Sequence, residues 1–228
     1  MKKKNNINKE LGIGDYFYIP VFGRVKIKST TPSKISNFKG KTFTFIGDSY
    51  TATPKYGWQS IMSNNYGLKE VNIAKGGKQT KWMVEAVKNY LTNHKPDYLV
   101  IFGGANDAYS SIPIGTSINN IQKMIDLANA YGVKPIVVTG YNARKVQVGN
   151  PRQKPTKQQL GWGITQQKLW GMGENYYQMQ LKMLSDLKKA IVVPIWQDGV
   201  QSSTYDGLHM TWDANKKFGI FVGKYLFG

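Results

Sequence analysis

The chain has 228 residues, 41% of them hydrophobic and 13% aromatic, enough to bury one sizeable core. Its 31 Lys and Arg against 13 Asp and Glu give a net charge of +18, yet the apolar content excludes a disordered polycation. With no cysteine, a disulfide scaffold, a thiol nucleophile, an iron–sulfur cluster and a thiolate zinc site are excluded, and histidine chemistry must run through His94 or His209.

The first ten residues, MKKKNNINKE, are basic like the start of a secretory leader, but no apolar stretch follows. Nowhere does the chain approach the ~18 apolar residues of a membrane span, so the expectation is a cytoplasmic protein without one. Only Arg24, Arg144 and Arg152 are arginine; the rest of the basic residues are lysine. Specific nucleic-acid reading leans on arginine's planar fork, so the charge leaves only non-specific binding to a polyanion open.

Residues 1–40 read as a basic N-terminal arm, with a β-like run at 16–27 and a turn-rich end at 29–34. Two strands cannot bury a core alone. From Lys41 short apolar runs at 42–46, 71–73, 98–102, 135–138 and 191–195 alternate with helical spacing at 56–66, 80–94, 116–131, 175–189 and 211–226. Such alternation makes right-handed βαβ crossovers, predicting a three-layer α/β/α sandwich with a five-stranded parallel sheet over 41–228. Residues 141–173 interrupt it with Gly, Pro, Gln and Lys, Trp162 and Trp170, six basic residues and no acid. A loop insertion of that length suits a lid, a binding loop or an assembly contact.

In open α/β sheets the site lies beyond the carboxyl ends of the strands. Gly47-Asp48-Ser49-Tyr50 follows the first run of the domain and Asn72-Ile73-Ala74-Lys75-Gly76-Gly77 the second. Gly103-Gly104-Ala105-Asn106-Asp107 follows the third, and Asp206-Gly207-Leu208-His209 precedes the last helix. Each is a common turn or cap by itself. Together they bring a hydroxyl, a glycine amide, a side-chain amide and a carboxylate–imidazole pair to one rim.

In this order the blocks resemble the SGNH hydrolases, the GDSL-type esterase/lipase superfamily of flavodoxin-like α/β proteins, over residues 41–228. A serine hydroxyl is too weak an acid to attack unaided, so Ser49 needs a base. His209 is the candidate, and Asp206, three residues earlier, is placed to bond one imidazole nitrogen and leave the other facing Ser49. The resemblance implies an oxyanion hole of the Ser49 and Gly77 amides and the Asn106 side chain; Gly77 is preferred to Gly76 because the family glycine stands five positions after an asparagine such as Asn72. It also implies an acyl-ester substrate, such as a small ester or an O-acetylated glycan, and no metal or cofactor. Met210-Thr211 departs from the family, where proline often follows the histidine, and Lys75 and Lys78 flank the glycine.

Other residues have plainer roles. Asp48 reads as a turn-holding residue, Asp107 as a cap for the turn after it, and His94 as a helix-end imidazole meeting the last carbonyls. Trp58, Trp82 and Trp212 read as core, while Trp162 and Trp170 suit lid packing or a sugar or partner contact. An alternative function is structural: an assembly protein, for example of a virus particle, that uses the hydrolase scaffold and meets partners through residues 1–40 and 141–173, with or without esterase activity.

Overall fold

The structure, a computed structural model, describes residues 34–53, 56–141, 166–196, 204–205 and 208–228, positions 157 and 161, and two short strands near the N-terminus. The chain divides into two units, Met1–Ser33 and Lys34–Gly228. In the first, β1 (Tyr16–Ile19) and β2 (Gly23–Lys26) pair antiparallel, with Tyr16 opposite Lys26. The boundary falls earlier than residue 40. The Ile35 amide donates to the Leu226 carbonyl at 2.9 Å, Ile35 is buried, and the Phe38 ring lies 4.2 Å from Phe227. Apolar side chains at 35 and 38 therefore draw this stretch onto the larger unit, where sequence placed it in the arm.

The larger unit is a parallel sheet of β3 (Thr42–Gly47), β4 (Lys69–Asn72), β5 (Tyr98–Phe102), β6 (Lys134–Val138) and β7 (Ile191–Val193). Its strand order is β4-β3-β5-β6-β7, every pair parallel. Tyr98 to Phe102 are all buried, as are Phe43 to Gly47, the continuous apolar run expected of strands covered on both faces. At the edge, β4 is only partly buried.

Among the described residues six helices cover the sheet: α1 (Trp58–Tyr66), α2 (Thr80–Asn93), α3 (Ala105–Tyr109), α4 (Ile114–Ala130), α5 (Gln166–Asp186) and α6 (Trp212–Phe227). Side chains alternate across a strand, so β3 shows how the layers divide. Phe45 meets Trp58 of α1 and Phe43 meets Phe227 of α6, whereas the Thr44 hydroxyl bonds Tyr90 of α2. One layer is therefore α1 with α6; α2 packs on α4 and α4 on α5 in the other.

Three departures from the sequence reading have physical causes. Helix α5 begins at Gln166, so the last part of the 141–173 insertion is helical. Two helical glycines, 171 and 173, cost about 1 kcal/mol each against alanine, but Met172, Tyr176, Met179 and Met183 form a buried stripe at helical spacing that offsets them. Helix α3, five residues long, is too short to show a period in sequence. Trp212 is exposed because it opens α6 on the side away from the sheet's ring cluster, with Lys216 Nζ 5.3 Å over its ring. Trp58 is buried, and Trp82 is half-buried beneath Lys78.

The α1–α6 contact is close. A Cβ added at Gly219 would stand 2.4 Å from the Trp58 carbonyl oxygen, backbone that cannot swing away. Helix propensity favours alanine there by about 1 kcal/mol, but overpacking costs about 1–3 kcal/mol. Gly219→Ala is expected to lower the urea midpoint without changing the slope; a raised midpoint would show that the two helices part freely.

Candidate active site

Strand β3 lies between β4 and β5, so the chain leaves it first to one side and later to the other, opening a crevice at the carboxyl ends. Ser49 sits there on a turn in which the Thr51 and Ala52 amides donate to the Asp48 carbonyl at 3.1 and 2.8 Å. The Tyr50 amide donates to Asp48 Oδ1 at 3.1 Å, the turn-holding role read for Asp48. Helix α1 starts only at Trp58, so Ser49 belongs to a turn, not a helix N-terminus. Gly47 before it admits no side chain: a Cβ would lie 2.1 Å from the Phe102 carbonyl.

On the far side of the crevice, Thr204 and Met210 form an antiparallel bridge and the Tyr205 amide donates to the His209 carbonyl at 3.2 Å. His209 thus closes a short turn just ahead of α6, and its Nε2 lies 2.8 Å from Ser49 Oγ across 160 residues of chain. The His209 ring is flanked by Tyr50 at 5.6 Å and stacked near Tyr205 at 5.8 Å. Asp206 lies outside the described residues, as does Trp162.

The loop after β4 is tied to the serine turn from two sides. Asn72 Nδ2 donates to the Thr51 carbonyl at 2.7 Å, and the Lys75 amide donates to Gly47 O at 3.1 Å. Gly76 then lies directly against Ser49, its Cβ position 3.8 Å from the serine Cβ. Gly77 adopts φ +74° and faces open space, a left-handed conformation that favours glycine. Asn106, on α3, donates from Nδ2 to the Lys78 carbonyl at 3.3 Å, which brings the amide beside the glycine loop. His94 is remote from all of these, with Nδ1 3.1 Å from the Tyr90 carbonyl and its ring stacked on Tyr90.

Sequence reasoning missed several residues around the pair. A cavity of about 70 Å³ opens beside Ser49 and His209, with Tyr50, Tyr205, Met210 and Asn215 in its wall. Asn215 accepts the Trp58 amide at 3.2 Å and donates to the Met210 and Thr211 carbonyls at 3.1 Å, joining α1 to the histidine turn. Tyr141 stands three residues past the end of β6, and the rule used on the other strand ends, applied to this one, would have found it. Among the described residues no three Asp, Glu or His side chains cluster as metal ligands, and no helix is long and apolar enough to cross a membrane.

Two buried carboxylates lie under the rim. Asp107 does not cap the turn after it. It reaches α2, where Oδ2 accepts the Thr80 amide at 2.9 Å and Oδ1 accepts the Thr80 and Ser117 hydroxyls at 2.5 and 3.1 Å. The first turn of α2 offers orphan N–H groups and a positive dipole end, which outcompete the local turn. Asp48 has no exposed surface, and that burial pushes its carboxyl up from an ordinary 3.8 to about 7. The Tyr50 amide and the nearby His209 oppose the rise, and the charge of Asp107 adds to it. Between about pH 4 and 7 the folded chain keeps a proton that the unfolded chain has lost, so this group makes stability fall as pH rises through that window. Asp48→Asn keeps an acceptor for Tyr50 but cannot ionise. Its stability relative to the parent is expected to improve by about 4 kcal/mol between pH 4 and pH 8, read by denaturant unfolding across pH. Parallel pH curves would show instead that Asp48 stays ionised throughout.

The model of the GDSL-like Lipase/Acylhydrolase family matches residues 45–214. No curated protein sequence matches the chain. Solved structures with the same fold include a lipase/acylhydrolase from Enterococcus faecalis, 18% identical, with a TM-score of 0.55 and covering 81% of this chain and 94% of that one. TesA is 21% identical, with a TM-score of 0.57 over 82% of this chain and 98% of that one. The psychrotrophic esterase EstA from Pseudoalteromonas sp., in a structure inhibited by monoethylphosphonate, is 13% identical, with a TM-score of 0.55 over 81% and 96%. A family match over most of the chain, on a five-stranded parallel sheet that sets Ser49 against His209, makes this protein a member of the GDSL-like lipase/acylhydrolase family of SGNH hydrolases.

Proposed function

We propose that the protein is a serine esterase for short acyl esters, including O-acetyl groups on carbohydrate, with Ser49, His209 and Asp206 as its catalytic residues. The observation that carries this reading is the 2.8 Å contact between Ser49 Oγ and His209 Nε2 at the mouth of a cavity. In this reading Ser49 donates its proton to Nε2 as Oγ attacks the ester carbonyl. Asp206 holds the other imidazole nitrogen, fixing the tautomer and stabilising the imidazolium. The amides of Ser49 and Gly77 and the side chain of Asn106 receive the negative charge of the tetrahedral intermediate. His209 then protonates the departing alcohol, and water enters by the reverse steps to release the acid.

The size of the cavity supports a short acyl group. At roughly 10–15 Å³ per water-sized position, about 70 Å³ holds about five such positions, room for an acetyl or propionyl group but not for a fatty chain. Lys75 is exposed beside the glycine loop, where its charge would favour substrates carrying negative groups.

A fluorophosphonate probe is expected to label the protein at Ser49, and Ser49→Ala to abolish labelling and lower kcat by at least ~10³-fold. Across a p-nitrophenyl ester series the acetate and propionate should turn over fastest, with rates falling beyond butyrate. Absence of an adduct together with no turnover would reject the esterase reading, and a rate rising towards long chains would reject the short-acyl specificity. Asn106→Ala is expected to lower kcat about 10²–10³-fold with KM little changed, since an oxyanion donor acts in the transition state. A change confined to KM would remove Asn106 from the oxyanion hole.

A further inference from the structure

The histidine turn is held from behind by two phenols. Tyr50 and Tyr141, both buried, touch hydroxyl to hydroxyl, and both reach the carbonyl oxygen of Leu208, at 3.0 Å from Tyr50 and 2.8 Å from Tyr141. Two hydroxyl protons serve three contacts. The phenols cannot both donate to each other, which leaves a hydroxyl proton for the Leu208 carbonyl that both oxygens approach. That carbonyl belongs to the peptide that leads into His209.

Both phenols rest on rigid parts of the fold. Tyr50 stands on the serine turn, its backbone bonded to Asp48. Tyr141 bridges to Trp196 just beyond β6, where its carbonyl and that of Thr139 each accept from Gln180 Nε2 of α5 at 2.6 Å, and the Gly140 carbonyl accepts from the Trp196 amide at 2.8 Å. Gln180 is itself buried. The sheet and α5 therefore reach the peptide before His209 through one side chain, and the serine turn reaches it through the other. A pair tethered in this way sets nucleophile and base against a common point of reference, 158 and 67 residues away along the chain.

We infer that Tyr50 and Tyr141 are positioning residues that hold the Leu208 peptide so that His209 delivers its proton to the leaving alcohol. The inference rests on the esterase reading above. A misplaced imidazole takes the Ser49 proton less well with either ester, but only an alkoxide also needs that proton returned, whereas p-nitrophenolate leaves without one, so the alkyl ester is slowed more than the aryl ester. A merely destabilised protein loses both activities in the same proportion.

The experiment compares Tyr50→Phe, Tyr141→Phe and the double variant with the parent, using ethyl acetate and p-nitrophenyl acetate. Each single variant leaves one donor on the Leu208 carbonyl, so kcat/KM for the alkyl ester is expected to fall only about two- to threefold. The double variant removes both phenol donors and is expected to lose more than tenfold, more than the product of the singles. Its loss on the aryl ester should be several-fold smaller than on the alkyl ester, with the fall in kcat and KM nearly unchanged. Because the ratio of the two activities does not depend on how much protein is folded, it decides the question even if the double variant is unstable. Equal losses on both esters, or a double variant matching the parent, would overturn the positioning role while Ser49-dependent hydrolysis by the parent leaves the esterase reading standing. A parent with no Ser49-dependent hydrolysis would overturn both.

Discussion

The site depends on how closely β3 and β5 approach at their carboxyl ends. Gly47 lies so near the Phe102 carbonyl that no Cβ fits, and Thr51 Oγ1 donates to that same oxygen at 3.4 Å. Parallel pairing of Gly47 with Phe102 continues to the last residue of β5. Two loops that start from neighbouring strand ends must then run side by side, and these two carry Ser49 and Asn106. A side chain at position 47 would part the strands where the reading of function needs them closest.

Buried carboxylates organise the loops once the strands have placed them. Asp107 is the firmer case, since it accepts three hydrogen bonds and thereby joins α3, α2 and α4 through Thr80 and Ser117. Asn120 adds a bond to the Thr80 hydroxyl at 3.0 Å, so the knot has polar partners on every side. Asp48 is less well compensated, and its carboxyl is correspondingly pushed upward. The contrast follows from a general asymmetry: a buried charge with several donors is tolerated, while one with few is expensive. Exposed pairs such as Lys41–Asp97 at 3.1 Å and Lys217–Asp213 at 2.8 Å are weaker by comparison, because solvent screens them.

Much of the fold was legible in the sequence because each strand carries a short apolar run and the runs are separated by helices of regular period. Tyr98–Phe102 has the bounds that its apolar run predicts, and the other strands differ from expectation by one or two residues. Local pattern failed where the cause was not local. The start of α5 follows from a methionine and tyrosine stripe buried under the sheet, and the exposure of Trp212 from the direction in which α6 begins. Ser49, His209 and Asn106 could be picked out because each stands next to a strand end or a helix start in chain order. Tyr50 and Tyr141 also stand near strand ends, but their common partner, the Leu208 carbonyl, and those of Asn215, the Met210 carbonyl and the Trp58 amide, are contacts that leave no periodic trace.

The ties around His209 answer a problem that the fold itself creates. Ser49 stands at the end of a central strand, but the histidine arrives on a turn ahead of α6 that the Thr204–Met210 bridge and the Tyr205 amide on the His209 carbonyl close. A turn of that kind opens at low free energy unless something outside it holds it. Three elements supply that hold: Asn215 from α6, Tyr141 from β6 and Tyr50 from the serine turn. Each uses a neutral polar group, which avoids adding a further charge beside Asp48, a carboxyl that burial already pushes upward. Neutral donors on a backbone carbonyl keep their geometry at every pH at which a histidine can switch between base and acid. The turn can therefore be held rigid while the imidazole alone changes its protonation state.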